Sequence, residues 1–238
     1  MQYGDLHPWN VTPDEARKIQ DDLRDRVILS PIPEDVRHVA GADVSFDKGS
    51  NLMHAAIVVI RLQDLMVIEK KGVSERTSFP YVPGLLAFRE GPPVLHAWEQ
   101  LTVHPDVIVF DAHGLAHPRR FGLACHLGVI LDIPSVGCAK SVLIGSYRDP
   151  GPGAGNTSPL VENGEEVGAA LRTREGVSPV FVTVGHRSDL PSAVALIVAC
   201  TRGYRIPEPT RQAHLIVNAL RRGETIDSKR DGVQETLF

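Results

Sequence analysis

Alternating apolar and polar stretches predict the order of helices and strands along the chain. Thr12-Pro13-Asp14-Glu15 has the pattern of a capping box with proline in the first turn, which predicts an amphipathic, acidic helix to about Val27. Two runs rich in β-branched residues, 37–46 and 53–62, flank the turn sequence DKGSN and predict a β-hairpin. A third strand is expected at 65–73, so the chain opens with one helix and three antiparallel strands.

The rest of the chain alternates predicted helices and strands. Residues 85–102 are helix-like, but Gly91-Pro92-Pro93 is expected to split that helix in two, because proline lacks the amide proton of an interior helical residue. Glycine and proline crowd residues 145–159, which predicts a long loop. The other predicted elements are strands at 107–110, 135–138, 167–173 and 180–184, and helices at 119–128, 189–200 (capped by Ser188) and 211–222 (stopped by Gly223).

This order of elements predicts one α/β domain over residues 1–238, built on a mixed sheet with helices on both faces. The polar ends of the chain, 1–10 and 224–238, are expected to fray.

Composition excludes several classes of protein. Of the 238 residues, 42% are hydrophobic and 23% are charged, as in ordinary globular proteins. The longest unbroken apolar run, 193–200, is far shorter than the roughly 20 residues that a membrane-spanning helix needs. Three cysteines without a CxxC pair argue against a disulfide framework and a Cys-rich zinc site. Because the N-terminus also lacks a signal-peptide pattern, we expect a cytoplasmic protein with no membrane partner.

The distribution of charge changes what the net charge suggests about partners. A formal net charge of −4 by itself argues against binding to nucleic acid. Residues 1–35, however, carry four basic and eight acidic residues, whereas residues 119–222 carry twelve basic and eight acidic residues. The second half of the chain is therefore compatible with a basic face that binds phosphate.

Three acidic residues lie where a carboxylate is costly without a partner. Asp43 interrupts an apolar strand, Asp111 ends the buried strand at 107–110, and Glu90 follows an apolar helical stretch. Ligands of open α/β sheets gather at the carboxyl ends of strands, and Mg²⁺ prefers oxygen ligands, so the pattern favours a two-metal phosphodiester-cleaving centre. The alternative is that Asp43 pairs with an arginine and Asp111 begins a turn.

The segment after Asp111, AHGLAHPRRFG, offers imidazole and guanidinium groups. His113 and His117 have a spacing seen in helical zinc sites, but Gly114 and Pro118 oppose a helix there. A phosphate site with Arg119-Arg120 at a helix N-terminus fits better, and the alternative is a solvated basic helix start.

Lys140, His214 and Tyr81 carry further candidate chemistry. GCAKS at 137–141 lacks the glycines of a P-loop, so Lys140 is expected either to position phosphate or water at the strand ends or to be an ordinary surface lysine. His214 lies on the last predicted helix, where a partly buried structural histidine is the alternative. The prolines of PYVPG hold Tyr81 stiffly, which suits either a wedge between bases or a loop anchor.

Four segments together closely resemble the endonuclease V family, the repair nucleases that act at deaminated adenine (hypoxanthine or inosine). They are ADVSF at 42–46, PYVPGLLAFRE at 80–90, VIVFDAHGLAHPRRFGLACHLGV at 107–129 and GCAKS at 137–141. The resemblance covers most of residues 10–222. It implies a ribonuclease-H-like fold and Mg²⁺-dependent hydrolysis of the second phosphodiester bond 3′ to the lesion, which leaves a 3′-hydroxyl and a 5′-phosphate.

The resemblance also implies roles for individual residues. The catalytic set would be Asp43, Glu90, Asp111, Lys140 and His214, with the three carboxylates holding Mg²⁺, or Mn²⁺ in its place. A wedge that separates strands would consist of Pro80, Tyr81, Val82 and Pro83. The flipped base would enter a pocket near Gly84, Leu85, Gly114 and Gly122, supported by His117 and Arg119.

Inosine-containing DNA is the expected partner of a monomeric enzyme, and three alternatives remain. Some relatives favour inosine in single-stranded RNA, and one chain does not reveal contacts to a 2′-hydroxyl. A non-cleaving inosine-binding protein is opposed by the presence of all three carboxylates. A ribonuclease-H-like nuclease without lesion specificity is opposed by the PYVPG wedge.

Overall fold

Nine strands form one continuous sheet in the computed structural model, which describes residues 1–47 and 49–226. In chain order they are β1 (His38–Phe46), β2 (Leu52–Arg61), β3 (Met66–Arg76), β4 (Val107–Phe110), β5 (Ser135–Ala139), β6 (Ser146–Tyr147), β7 (Thr157–Glu162), β8 (Glu165–Leu171) and β9 (Val180–Val184). Across the sheet the order is β3-β2-β1-β4-β5-β9-β8-β7-β6. Strand β4 runs parallel to both of its neighbours, β1 and β5, and the other neighbouring strands are antiparallel.

Helices cover both faces of this sheet. Within the described part of the chain they are α1 (Pro13–Arg24), α2 (Leu86–Glu99), α3 (Leu123–Leu131), α4 (Leu190–Ala199) and α5 (Glu208–Arg221). Side chains that alternate along β1 separate two cores: Ala40 and Ala42 pack with α2 and α3, whereas Val39 packs with α4 and α5. The predicted mixed, ribonuclease-H-like α/β fold is confirmed.

Helix α2 corrects the prediction of a split helix at Gly91-Pro92-Pro93. It continues through Pro92 and Pro93 without interruption from Leu86 to Glu99. An interior proline costs on the order of 3 kcal/mol. Burial of most of this helix offsets that cost, since Val94, Leu95 and Trp98 all lie in the core against the sheet.

Several element boundaries also differ from the predictions. Helix α3 begins at Leu123, not at residue 119, because Arg120 adopts a left-handed conformation (φ 53°) that a helix does not accept. Helix α5 begins at Glu208, three residues before the predicted start. The cap of α4 is Asp189 and not Ser188, since the Asp189 side chain accepts a 2.9 Å bond from the Ser192 amide. The capping box that starts α1 at Thr12 is confirmed.

The glycine- and proline-rich segment 145–159 contains more regular structure than predicted. It includes all of β6 and the start of β7. Arg172 fixes the loop between them, because its Nε donates to the Gly151 carbonyl (2.6 Å) and its Nη2 to Asp149 (2.7 Å).

The N-terminal segment packs on the domain although it contains no helix or strand. The amide of Gly4 donates to the carbonyl of Ile130 (3.1 Å), and the terminal amino group donates to the carbonyl of Glu99 (2.7 Å). His7 is buried, with its Nε2 2.7 Å from Nε2 of His126. Residues 1–10, which were expected to fray, thus have defined contacts with the domain; most of the predicted frayed tail, 227–238, lies outside the described residues.

All three cysteines are buried and free. None of the helices that the structure describes is long and apolar enough to cross a membrane.

Candidate active site

The carboxyl ends of three adjacent parallel strands bring Asp43, Asp111 and Lys140 to one edge of the sheet. Asp43 lies near the end of β1, and Asp111 and Lys140 directly follow β4 and β5. The amide of Asp111 donates to the carbonyl of Ala42 (3.3 Å), so the two aspartates lie on neighbouring strand ends. This is the position where ligands of α/β sheets bind.

Helix α5 reaches the same edge because Gly41 leaves room for it. A Cβ atom on Gly41 would lie 2.1 Å from the backbone carbon of Pro209, in the first turn of the helix. The close approach brings His214, one and a half turns further along α5, over the end of β1.

All five predicted catalytic residues line one cavity of about 420 Å³, which we call the carboxylate cavity. They are Asp43, Glu90, Asp111, Lys140 and His214. The strand ends and α5 supply four of them, and α2 supplies Glu90. The five residues are spread over 171 positions of the sequence, from 43 to 214, and the fold alone brings them together.

Within this cavity each aspartate has a basic partner. Nδ1 of His214 lies 2.7 Å from Oδ2 of Asp43, and Nε2 of the same ring lies 3.0 Å from the side-chain nitrogen of Asn218. Because the Asn218 amide nitrogen donates, Nε2 accepts and Nδ1 carries the proton donated to Asp43. The Lys140 ammonium forms a short ion pair with Asp111.

Burial and the charges of neighbouring carboxylates raise the pKa of two acidic groups in this cavity, Glu90 and Asp43. Burial raises the pKa of Glu90 to about 8, and the negative charges of Asp43 and Asp111 contribute to the rise. The positive charge of Arg89 acts in the opposite direction. Burial and the charge of Asp111 also raise the pKa of Asp43, against the hydrogen bond from His214. A cavity in which burial and neighbouring negative charge disfavour the ionisation of Asp43 and Glu90 is one that a divalent cation would stabilise.

The described residues do not hold three metal-ligating side chains in contact with one another. Asp43 instead contacts His214, Asp111 forms an ion pair with Lys140, and burial and the neighbouring aspartates raise the pKa of Glu90 to about 8. The donor set is nevertheless all oxygen and fits Mg²⁺. The metal roles of the three carboxylates stay a prediction.

A second cavity, of about 350 Å³, lies beside the first, and we call it the PYVPG cavity. Tyr81, Val82, Pro83 and Gly84 form one wall, and His117 and Gly122 contribute to another. Asp111 and Lys140 line both cavities. Its volume is within the usual range for a small-molecule site, roughly 300–1,000 Å³.

Three side chains fix the Gly84 peptide at the rim of this cavity. The Gly84 carbonyl accepts bonds from Gln20 (3.1 Å), His117 (2.9 Å) and Arg119 (2.7 Å). Gly84 has φ +79°, which favours glycine, and a Cβ there would lie 3.0 Å from the Arg119 guanidinium. Burial and the neighbouring Arg119 lower the pKa of His117 to about 4, so its ring is neutral at physiological pH.

Some predicted residues lie outside the PYVPG cavity. Leu85 is buried in the core, and Pro80 is exposed on the loop. Gly114 lies behind the cavity, where a Cβ would be 1.9 Å from the Val184 carbonyl, so that its role is close packing. The Arg119-Arg120 pair precedes α3 and does not form its N-terminal turn; Arg119 supports Gly84, and Arg120 pairs with Glu165 (2.7 Å).

The histidines do not form the zinc site considered above. Nε2 of His113 lies 2.8 Å from the Ser141 carbonyl, and Nε2 of His117 is already bonded to Gly84. Both rings therefore have backbone partners, which fix the loop after β4 against β5 and the PYVPG segment.

Sequence reasoning missed two residues that support the site. Gln20 bridges the Gly84 carbonyl and the Arg119 guanidinium and is 1% exposed. The sequence signal for it was a polar residue on the apolar face of α1. Asn218 sets the tautomer of His214 from one turn further along α5, which only the helix position reveals.

A model of the endonuclease V family matches residues 21–215. The chain belongs to the endonuclease V family. Endonuclease V of Myxococcus xanthus is 48% identical over 217 residues, which cover 91% of this chain and 92% of that protein. Membership makes the chain a hydrolase of nucleic acid, in a family of nucleases that cleave at inosine lesions and are typically metal-dependent.

Solved structures of other family members agree with this fold. The crystal structure of Streptomyces avermitilis endonuclease V is 49% identical, with a TM-score of 0.86 and coverage of 90% of this chain and 96% of that one. Endonuclease V of Ciona intestinalis is 27% identical, with a TM-score of 0.80 and coverage of 90% and 99%. The latter was solved in complex with a 23mer DNA containing an inosine followed by a ribo-adenosine.

Proposed function

We propose that this endonuclease V is a Mg²⁺-dependent repair enzyme that recognises hypoxanthine in DNA. It hydrolyses the second phosphodiester bond 3′ to the lesion and leaves a 3′-hydroxyl and a 5′-phosphate. The observation that carries the proposal is that the PYVPG cavity and the carboxylate cavity share Asp111 and Lys140. A base held in the first cavity brings the phosphates of its own strand to the second.

Asp43, Glu90 and Asp111 would hold the cation. The three side chains line one cavity, and burial together with neighbouring negative charge raises the pKa of Asp43 and of Glu90 there. When bound, Mg²⁺ supplies positive charge that offsets the charge of the phosphodiester and of the attacking oxygen.

Two basic side chains would assist at the scissile phosphate. Lys140 carries its ammonium to the junction of the two cavities, where it can donate to a phosphate oxygen. His214 is a positioning residue, because its Nδ1 proton fixes one carboxylate oxygen of Asp43 and leaves the other available.

The PYVPG segment would open the duplex and receive the extruded base. Tyr81 is 70% exposed, and the prolines on either side of Tyr81-Val82 limit the freedom that it loses on binding. Apart from Asp111 and Lys140 at the junction with the carboxylate cavity, the cavity behind it is lined by uncharged groups, among them the His117 ring and Gly122, which suits an uncharged purine such as hypoxanthine. Flipping also costs less at a mispaired inosine than at a matched base.

Inosine-containing RNA is the second candidate substrate. The Ciona intestinalis protein was solved with DNA in which a ribo-adenosine follows the inosine, so a 2′-hydroxyl next to the lesion is accommodated in that family member. The same accommodation in this chain would permit cleavage of RNA at the equivalent position.

Matched oligonucleotides test the proposal. Inosine-containing and adenine-containing strands, each as DNA and as RNA, are incubated with the protein in Mg²⁺ or in EDTA. We expect cleavage of the inosine strand in Mg²⁺ alone, and the ratio of DNA to RNA rates decides between the two substrates. Binding of the inosine strand without cleavage in Mg²⁺ would instead support a non-cleaving inosine-binding protein.

A further inference from the structure

A third concavity continues from the PYVPG cavity along the other side of Lys140. It has a volume of about 400 Å³ and is lined by Tyr147, Phe181 and Arg205 together with Lys140, Ser141 and Val142. The last three residues also line the PYVPG cavity, so the two spaces share a wall. We call this space the Tyr147 groove.

The Tyr147 ring is supported from one side and otherwise open. It stands against the buried ring of Phe181, with centroids 5.0 Å apart and planes at 71°, and the residue is 39% exposed. Its hydroxyl has no hydrogen-bond partner among the described residues. The two-residue strand β6, paired with β7, holds the ring in place within the segment that was predicted to be a long loop.

Arg205 gives the groove a fixed positive charge. Its Nε donates to the Ser178 carbonyl (2.9 Å), and its Nη2 donates to the carbonyls of Lys140 (2.6 Å) and Pro179 (2.9 Å). Its Nη1 makes no hydrogen bond within residues 1–47 and 49–226. No described Asp or Glu lines the groove, so the guanidinium charge is not paired there.

An open aromatic ring beside a cation, without a carboxylate, is the combination that binds unpaired nucleotides. We propose that the Tyr147 groove binds one unpaired nucleotide of the substrate strand next to the flipped base. The base stacks on Tyr147, and the phosphate contacts Arg205. The inference rests on the proposed function, because the wedge must open the duplex to supply an unpaired neighbour.

Photo-cross-linking locates this nucleotide. Single strands that contain inosine carry one 5-iodouracil at each of several flanking positions in turn, and the protein binds them in EDTA so that no strand is cut. We expect one flanking position to cross-link to the peptide that contains Tyr147. Tyr147→Phe keeps the ring and is expected to bind as wild type, whereas Tyr147→Ala is expected to bind about 5- to 100-fold more weakly.

Two controls keep the result specific to the groove. Met66→Ala shortens a side chain that is 45% exposed on β3, away from the cavities, and is expected to bind as wild type. Thermal unfolding shows whether Tyr147→Ala retains the fold.

Failure of this inference and failure of the proposed function give different results. If a folded Tyr147→Ala protein binds inosine strands as wild type, or if cross-links form only elsewhere, the groove is not a nucleotide site, although cleavage at inosine still stands. If wild-type protein does not distinguish inosine strands from adenine strands, both proposals are wrong.

Discussion

Nδ1 of His214 lies 2.7 Å from Oδ2 of Asp43, across a separation of 171 residues. The contact joins α5 to the end of β1, and Gly41 makes it possible by admitting the first turn of the helix. This hydrogen bond holds the Asp43 carboxylate in one orientation. We propose that His214 positions Asp43 and does not transfer a proton in the reaction.

Removal of the His214 ring is expected to weaken the binding of Mg²⁺ more than the binding of inosine-containing DNA. His214→Ala leaves Asp43 free to rotate, so we expect cleavage to fall by about 10- to 100-fold at fixed Mg²⁺. A Mg²⁺ titration of the cleavage rate should show a higher half-saturating concentration, with an unchanged Kd for inosine DNA in EDTA. A loss of DNA binding with normal Mg²⁺ dependence would assign His214 to the substrate instead.

The Glu90 carboxyl is expected to make the metal-free protein less stable as pH rises. Its pKa is about 8 when folded, against 4.5 as the ordinary value, so its contribution is complete below about pH 4.5 and is lost as pH rises through about 8. The pKa shift of His117 has the opposite sign, because its pKa is about 4 in the folded protein against an ordinary 6.5. Its contribution to the free energy of unfolding is therefore constant above about pH 6.5. Thermal unfolding in EDTA should therefore show Tm falling between about pH 6.5 and 8.

Glu90→Gln provides the control for this pH dependence. The amide cannot titrate, so the fall in Tm over that window should be much smaller in the variant. Added Mg²⁺ should stabilise wild type more at pH 8 than at pH 6.5, because the cation competes with the proton. Equal slopes in wild type and Glu90→Gln would show that Glu90 does not carry the effect.

Tyr81 is expected to act on the substrate and not on the fold. Tyr81→Ala removes a side chain that is 70% exposed, so Tm should change little, while the Kd for inosine duplex should rise about fivefold or more. Tyr81→Trp keeps an aromatic wedge and should restore most of the affinity. Wild-type binding by Tyr81→Ala would mean that the tyrosine only anchors the loop.

Gly114 is expected to matter for stability alone. Gly114→Ala places a Cβ 1.9 Å from the Val184 carbonyl, and the backbone on both sides must move. We expect a loss on the order of 3 kcal/mol in the free energy of unfolding. Gly4→Ala, whose Cβ would meet atoms at an ordinary 3.5 Å, is the matched control in chemical denaturation. If both variants unfold alike, the contact at Gly114 is not a constraint.

The sequence predicts the fold well where local pattern and burial agree. The meander β1 to β3 and the capping box of α1 were both predicted because β-branched runs, turn residues and capping chemistry are local signals. The continuous helix α2 was not predicted, since burial against the sheet outweighs the cost of two prolines, and that burial depends on residues far along the chain.

The residues of the candidate site also fall into those that the sequence could predict and those that it could not. Asp43 and Asp111 were candidates because a carboxylate within or directly after an apolar strand is costly to bury without a partner, although a structural partner was an open alternative for each. The family resemblance supplied the wedge and the role of Lys140, which spacing alone left open. The polar Gln20 on the apolar face of α1 was a signal, but its bond to Gly84 and the bond from Asn218 to His214 could not be found, because they depend on how α1 and α5 pack on the rest of the domain.

Cleavage of an end-labelled inosine duplex by wild type and Asp111→Ala shows whether the two adjoining cavities form one lesion-specific nuclease site. Asp111 lines both cavities, so its loss should abolish the metal-dependent reaction while inosine binding persists. We predict that wild type gives one product in Mg²⁺, cut at the second phosphodiester 3′ to inosine, and none in EDTA or from the adenine duplex. Equal cutting of inosine and adenine duplexes, or full activity of Asp111→Ala, would contradict the account.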